Sequence, residues 1–293
     1  MCPRRCRVNR LEGQRGFCNA GEVVEVYRYA PHFGEEPPIS GTRGSGTIFF
    51  ARCTMRCIYC QNYPWSQEGQ GRPYGEGELA EAFRALARAG CHNWNLVSPT
   101  PWLPMIRRAV HTARSDGFSL PIVYNTSGFE RVETLEEYSD VADIYLTDLR
   151  YSRADTAAVA SGAAGYVETA RQALLCMWRL AGPLVIDAEG IARRGLICRL
   201  LILPGRAREA VENLRWLREA VGTEVAVSIM AQYLPAYRAV QTKDWNRRIS
   251  ADELDEVRTA AEELGFENGW IQALDGTPPD ELVGFRMDEG ARV

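Results

Sequence analysis

Residues 47–60 read Thr47-Ile48-Phe49-Phe50-Ala51-Arg52-Cys53-Thr54-Met55-Arg56-Cys57-Ile58-Tyr59-Cys60. A short apolar run, Thr47 to Ala51, ends at a loop with three cysteines in a C-x3-C-x2-C spacing. Four thiolates normally close an iron–sulfur cluster, so three leave one iron of a [4Fe–4S] cluster without a protein ligand. An open metal position is where chemistry takes place, whereas a closed one holds a fold or passes electrons. A zinc site reads instead as two C-x2-4-C pairs, or as one pair with two histidines. The next histidine downstream is His92. A disulfide would leave one of the three cysteines unpaired.

The chain has 293 residues, 46% hydrophobic and 25% charged. That is ordinary for a soluble globular protein and enough for one large α/β domain or two small ones. Net charge is −4 and the pI about 5.6, so no basic face is implied and nucleic acid is not an expected partner. Lys243 is the only lysine, and arginine pairs such as Arg4-Arg5 and Arg193-Arg194 are not read as ligand sites. No apolar run is long enough for a transmembrane helix, so no membrane partner is expected. The start, Met-Cys-Pro-Arg-Arg-Cys, lacks the apolar stretch of a signal peptide. Nine cysteines (Cys2, Cys6, Cys18, Cys53, Cys57, Cys60, Cys91, Cys176, Cys198) then predict metal or redox chemistry in a reducing cytoplasm.

Residues 1–45 are rich in Gly, Pro, Arg and Cys and read as a small irregular lobe. From residue 46 onward strand and helix signals alternate. Strands are predicted at 47–51, 93–98, 120–124, 143–147, 196–203 and 224–231. Helices are predicted at 78–89, 103–114, 135–141, 155–180 (one long or two shorter), 208–220 and 252–264. Six βα units are too few for an eight-unit barrel and fit an α/β partial (β/α)6 barrel over 46–275, with a tail at 276–293. An open doubly wound sheet is the alternative. Either way, function belongs at the carboxyl ends of the strands. Gly71 to Gly77 reads as a mobile loop beside the cysteines.

Polar clusters follow the predicted strands. They are Ser98-Pro99-Thr100-Pro101, Asn125-Thr126-Ser127-Gly128, Thr147-Asp148-Leu149-Arg150, Arg199 with Pro204-Gly205, and Gln232-Tyr233. Singly, each is ordinary turn chemistry. After a C-x3-C-x2-C loop, carboxylates, amides, hydroxyls and an arginine converging on one rim suit a polar ligand.

The cysteine loop, with Tyr59 before its last cysteine, resembles the signature of the radical S-adenosylmethionine (SAM) superfamily. The strand-end clusters extend the resemblance over most of the chain. Together with Cys2–Cys6, Gly16-Phe17-Cys18, Cys60-Gln61-Asn62, Leu203-Pro204-Gly205 and Met230-Ala231-Gln232-Tyr233, they are similar to the pyruvate formate-lyase-activating-enzyme branch and to uncharacterised relatives of it. The resemblance implies that Cys53, Cys57 and Cys60 hold a [4Fe–4S] cluster whose open iron binds SAM, and that an electron from the cluster cleaves SAM to a 5′-deoxyadenosyl radical. It implies SAM contacts from Tyr59 (stacked on adenine), Asn62, Ser98, Thr100, Asn125, Thr126, Asp148, Arg150, Arg199 (facing the carboxylate) and Gln232. Where the activating enzymes carry Gly-Gly-Glu, this chain has Ser98 and Thr100 and no glutamate. Arg150 stands in place of the lysine of an Asp-x-Lys pair. Flavodoxin or ferredoxin would be the electron donor, and a glycyl radical enzyme a substrate partner.

Cys2, Cys6 and Cys18 either hold a second metal (an iron–sulfur centre or zinc), with His32 the nearest histidine, or stay reduced thiols; the spacing leaves both open. Cys91, Cys176 and Cys198 read as buried small hydrophobes. His92 and His111 have no ligand partner at short spacing. Glu136-Glu137 and Glu262-Glu263 read as solvated helix faces. No P-loop, Gly-x-Gly-x-x-Gly or Gly-x-Ser-x-Gly is present. The expected activity is hydrogen-atom abstraction from a substrate, either glycyl radical activation or modification of a small molecule or other protein. The competing class is a non-catalytic iron–sulfur carrier or scaffold.

Overall fold

The computed structural model describes residues 1–274, so the tail expected at 276–293 lies outside the described residues. Strands are β1 (Val24–His32), β2 (Ser45–Phe50), β3 (Arg72–Tyr74), β4 (Trp94–Val97), β5 (Ile122–Thr126), β6 (Ile144–Asp148), β7 (Val185–Ile186), β8 (Ala192–Leu201), β9 (Ala226–Met230) and β10 (Gly269–Ile271). Helices are α1 (Pro37–Ser40), α2 (Tyr63–Ser66), α3 (Glu76–Arg88), α4 (Leu103–Ser115), α5 (Val132–Glu137), α6 (Ala154–Ser161), α7 (Tyr166–Ala181), α8 (Ala207–Ala220) and α9 (Ala251–Glu263).

The sheet order is β10-β9-β8-β6-β5-β4-β2-β1-β3, with β7 paired to β8. From β2 to β10 every pair along that path is parallel. At least one helix lies in each crossover. The path has two ends and is not closed, which agrees with the expected partial barrel. Apolar stripes put the helices on the outer face: α3 buries Leu79, Phe83 and Leu86, and α4 buries Ile106, Ala109 and Val110. Ser250 and Glu253 form a capping box that starts α9. Gly162, at φ +58°, caps α6 and divides the helical region expected at 155–180 in two.

Three expectations change. The lobe at 1–45 is not irregular throughout, because β1 pairs antiparallel with β2 over Val26–His32. Gly71–Gly77 is no free loop, because Arg72–Tyr74 pairs with Val24–Val26 as an edge strand that tolerates Pro73. A further parallel strand, β10, extends the sheet past β9. Among the described residues no helix is long and apolar enough to cross a membrane.

The inner face of the sheet decides where a site can form. Side chains two residues apart on a strand share a face. Val123, Ile144, Leu146, Ile197 and Ala226 pack with Ile39 in one apolar cluster. Two residues further on, Val123 gives way to Asn125, Leu146 to Asp148, Ile197 to Arg199 and Ala226 to Ser228, all of which line one cavity. The interior is therefore closed by hydrocarbon at the amino ends and polar at the carboxyl ends.

Gly128 lets β5 turn at that polar end. Its φ is +78°, and a Cβ there would stand 2.4 Å from the Asp148 carbonyl oxygen. The Tyr166 hydroxyl fills the adjoining space, 2.8 Å from Ser127 O, and accepts a bond from Arg150 N at 3.1 Å. Gly128→Ala should cost about 2 kcal/mol or more, from the left-handed backbone and the backbone clash together. Urea unfolding checks this, and an unchanged midpoint would mean the turn has another way to close.

Candidate functional site

The cysteine loop is pinned mainly through its backbone. Arg52 N donates to Trp65 O (2.9 Å), Ile58 N to Ala160 O (2.8 Å), and Ala239 N to Ile58 O (2.8 Å). Trp102 Nε1 donates to Ala51 O at 2.9 Å where the strand ends. Arg4 Nε donates to Thr54 O at 3.0 Å, so the arginine set aside in the sequence fastens the amino-terminal lobe to this loop.

Cys53, Cys57 and Cys60 all line a cavity of about 640 Å³ at the carboxyl ends of the strands. Each sulfur has a protein donor in reach. Met55 N lies 3.4 Å from Cys53 Sγ, and Ser66 Oγ lies 3.2 Å from Cys60 Sγ. Cys57 Sγ has two donors at 3.0 Å, Arg150 Nη1 and Ser161 Oγ. Arg150 is anchored in turn by Asp148, whose Oδ2 lies 2.9 Å from Arg150 Nε. Behind Ser161 the hydroxyls continue: Tyr151 lies 2.5 Å from Ser161 Oγ, and Tyr59 lies 2.5 Å from Tyr151.

Desolvation pushes the Cys53 thiol up to about 12 and the Cys60 thiol to about 11. Unaided, the pocket favours neutral thiols, and bound iron would supply the charge that keeps them ionised. Among the described residues no three Cys, His, Asp or Glu side chains stand close enough to hold one metal ion. A single ion draws its donors tightly together, whereas a cluster gives each thiolate its own iron. Three sulfurs lining one cavity, each with a hydrogen-bond donor in reach, fit a cluster.

The same cavity is lined by a charged group. Arg199 Nε donates to Glu36 Oε1 at 2.7 Å, and Nη2 bonds Glu36 Oε2 (2.6 Å) and also Glu35 Oε2. Glu35 Oε1 accepts from Asn95 Nδ2 (2.8 Å) and Asn125 Nδ2 (3.4 Å). Burial raises the Glu36 carboxyl, but the Arg199 guanidinium overrides it and holds it below the usual carboxylate range. Arg199, expected to await a ligand carboxylate, is thus already engaged by two protein carboxylates that sequence reasoning missed. Glu35 and Glu36 lie in the turn after β1, inside the segment read as irregular.

The other expected contacts divide. Asn62, Ser98, Asn125, Asp148, Arg150 and Gln232 line the cavity. Ser98 stands in the left-handed region at φ +58° as the chain leaves β4. Gln232 Oε1 accepts from Gln272 Nε2 at 3.1 Å. Tyr59 reaches the cavity, but its ring stacks on Trp245 (centroids 5.6 Å apart, planes 6° apart). The Thr100 hydroxyl turns away: it donates at 2.6 Å to Glu130 Oε1, which the Thr126 hydroxyl also reaches at 2.6 Å. Thr100 opens a 3-10 turn, Thr100–Trp102, and does not line this cavity. Glu130 is buried, and among the described residues its Oε2 has no hydrogen-bond partner.

Cys2, Cys6 and Cys18 line a second cavity, of about 940 Å³, between the lobe and α3 and α4. Phe17 N donates to Cys6 Sγ at 3.2 Å, and Arg10 Nη2 lies 3.8 Å from Cys18 Sγ. Gly16 permits the approach, since a Cβ there would meet Cys6 Sγ at 2.9 Å. His32 lines the first cavity and not this one. Cys91, Cys176 and Cys198 are buried, as expected.

No protein-family model matches the chain. An uncharacterised protein of Methanocaldococcus jannaschii, MJ0674, is 28% identical over 276 residues, spanning 91% of this chain and 75% of that protein. A second from the same organism, MJ0808, is 26% identical over 152 residues, 46% of this chain and 44% of that one. Among solved structures, the FeFe-hydrogenase maturase HydG from Carboxydothermus hydrogenoformans matches with a TM-score of 0.53 at 15% identity. That match covers 80% of this chain and 54% of the maturase, so the chain spans about half the maturase's length, and the likeness is one of fold. The structure of native anSMEcpe with bound AdoMet aligns at a TM-score of 0.47 and 12% identity, over 81% of this chain and 63% of that one.

Arg199→Ala strands two buried carboxylates and should destabilise the protein by about 3–5 kcal/mol. Glu35→Gln with Glu36→Gln in the same chain should recover part of the loss. Denaturant unfolding measures both, and a mild effect of Arg199→Ala would show that the carboxylates find another cation.

Burial, opposed by the Thr100 and Thr126 hydroxyls, pushes the Glu130 carboxyl up to about 7. The folded state then holds a proton that the unfolded chain releases near pH ~4.3. Stability from this group is full below that value and declines as pH rises to about 7. Melting temperatures of the wild type and Glu130→Gln at pH 5 and pH 8 should show the wild type losing ground at the higher pH. Parallel curves would remove Glu130 as the titrating group.

Proposed function

We propose that this chain is a radical SAM enzyme. The observation that carries the reading is that Cys53, Cys57 and Cys60 line one cavity together with the strand-end polar side chains Asn125, Asp148, Arg199 and Ser228. Among the described residues no fourth cysteine lines that cavity, which leaves a cluster there with one iron for an exogenous ligand. A carrier or scaffold would need neither the open position nor a polar cavity facing it.

When bound, the cluster and SAM supply one-electron reductive cleavage and hydrogen-atom abstraction from a substrate. The protein's own part is binding, orientation and exclusion of water. Cys53, Cys57 and Cys60 would hold the cluster. Asn125, Asp148 and Glu35 would hold the polar ends of SAM, with Glu35 supplying a carboxylate that the Ser98–Thr100 segment lacks. The buried Arg199 group keeps that part of the cavity rigid. Leu201, Met230 and Leu234 give the same cavity apolar surface.

Glycyl radical activation, with flavodoxin or ferredoxin as electron donor, is the more specific form of this proposal. It rests on the resemblance of the strand-end motifs. Mixing the reduced protein with a glycyl radical enzyme from the same genome and recording the electron paramagnetic resonance spectrum tests it, and a genome without one counts against it. No protein radical, with SAM cleavage intact, would point to a small-molecule substrate in the same cavity.

Anaerobic reconstitution, reduction and addition of SAM should yield methionine and 5′-deoxyadenosine. Cys53→Ala, Cys57→Ala and Cys60→Ala should each abolish both products, since each thiolate is one of only three ligands. SAM cleavage surviving in any one of them would sink the assignment.

A further inference from the structure

Resting on the cluster reading above, we infer that Arg150 and Ser161 set the reduction potential of the cluster through the Cys57 sulfur, and that Tyr151 and Tyr59 act on it through Ser161. The three thiols are not equivalent. Cys57 alone of the three has two side-chain donors in reach of Sγ, both at 3.0 Å. One is a guanidinium, fixed in place by Asp148. The other is a hydroxyl at the end of α6, 104 residues away in sequence.

The hydroxyl chain has one direction once Cys57 is a ligand. A thiolate can only accept. Ser161 must therefore spend its single proton on Cys57 Sγ and accept from Tyr151 with its oxygen. Tyr151, having donated, accepts from Tyr59. Three O–H dipoles then point the same way, toward the sulfur, and hydrogen bonds in a line polarise one another. Tyr59, Tyr151 and Ser161 are buried, so water does not screen the line. Adding an electron to the cluster adds negative charge at its thiolates. A guanidinium and an aligned row of hydroxyls stabilise that charge, and so they raise the potential.

The line also accounts for two buried tyrosine hydroxyls close to a metal loop, which the packing alone does not require. Tyr59 keeps its ring against Trp245 and its hydroxyl on Tyr151. Its role through the second contact is independent of any stacking on SAM. Arg150 and Ser161 are positioning residues in this sense, acting on the cluster through a ligand.

The test is a potentiometric titration of the reconstituted full-length protein without SAM, followed by the resonance signal of the reduced cluster. Ser161→Ala should lower the reduced-to-oxidised ratio at a fixed potential by about fivefold, the worth of one hydrogen bond, or roughly 40 mV for a one-electron couple. Tyr151→Phe should give a smaller drop and Tyr59→Phe a smaller one still. In the Ser161→Ala background, Tyr151→Phe should add nothing, because its path to the sulfur is gone. Arg150→Gln combined with Asp148→Asn leaves no stranded charge and should also lower the ratio. A cluster that assembles in the wild type and in the variants, with the wild-type ratio kept in Ser161→Ala and in the Arg150 pair, would falsify the inference alone. Equal, additive effects of the tyrosine variants would overturn the relay. Failure of the wild type to bind a cluster would overturn the functional reading itself.

Discussion

A guanidinium buried between two carboxylates ties the open sheet across its interior. Arg199 belongs to β8, while Glu35 and Glu36 follow β1, and four strands stand between β8 and β1 in the sheet order. The contact can exist only because the sheet curves. Each charge loses its water on burial and regains only part of that energy from its partners, so the group is a poor source of net stability. What it supplies is geometry. Any slip of β8 relative to the β1 turn would leave a charge unpaired in an interior floored by Val123, Leu146 and Ile197. The shape of the cavity that Arg199, Glu35 and Glu36 line together with the cysteines follows from that constraint.

Much of this arrangement is legible in the chain because strands and sites obey short-range rules. Apolar runs bounded by turn residues give six of the parallel strands, and the cysteine spacing gives the thiol set. The change from Ile197 to Arg199 in β8 marks the level at which the interior becomes polar. The same period-two step runs from Ala226 to Ser228, so Ser228 carried a readable signal that went unused. β1 is harder. Val24 and Val26 are buried with Glu25 between them, but the surrounding glycines, prolines and arginines hide the alternation. β10 is three residues long and opens on a glycine, which gives no strand signal at all. Glu35, Glu36, Ser161 and Tyr151 could not be found locally, because their partners lie far away in sequence. Thr100 shows the opposite error. It follows a strand as a ligand residue should, yet its hydroxyl donates to Glu130, 30 residues on.

The amino-terminal segment has almost no core of its own and borrows one. Arg4 and Arg56 lie over the Phe17 ring at 3.7 Å and 4.2 Å, and Arg56 Nη2 donates to Phe17 O at 2.9 Å. Arg10 reaches Pro101 O at 2.6 Å, beside the turn that carries Thr100. Arg4 and Arg56 flank the junction from opposite sides, one from the lobe and one from the cysteine loop. The lobe and the cysteine loop thus share their contacts at Phe17.

The backbone pinning of the cysteine loop has a consequence for how such a chain diverges. Arg52, Ile58 and Ala239 are joined to their neighbours through amide and carbonyl groups, which every residue type but proline carries in full. These bonds hold the path of the loop whatever side chains Arg52, Ile58 and Ala239 carry, so the sulfurs keep their places through contacts that do not depend on residue type. Two lineages could share this loop in three dimensions while keeping little in common between its cysteines. In such a family, descent would be recorded more faithfully by the path of the main chain than by the letters written along it.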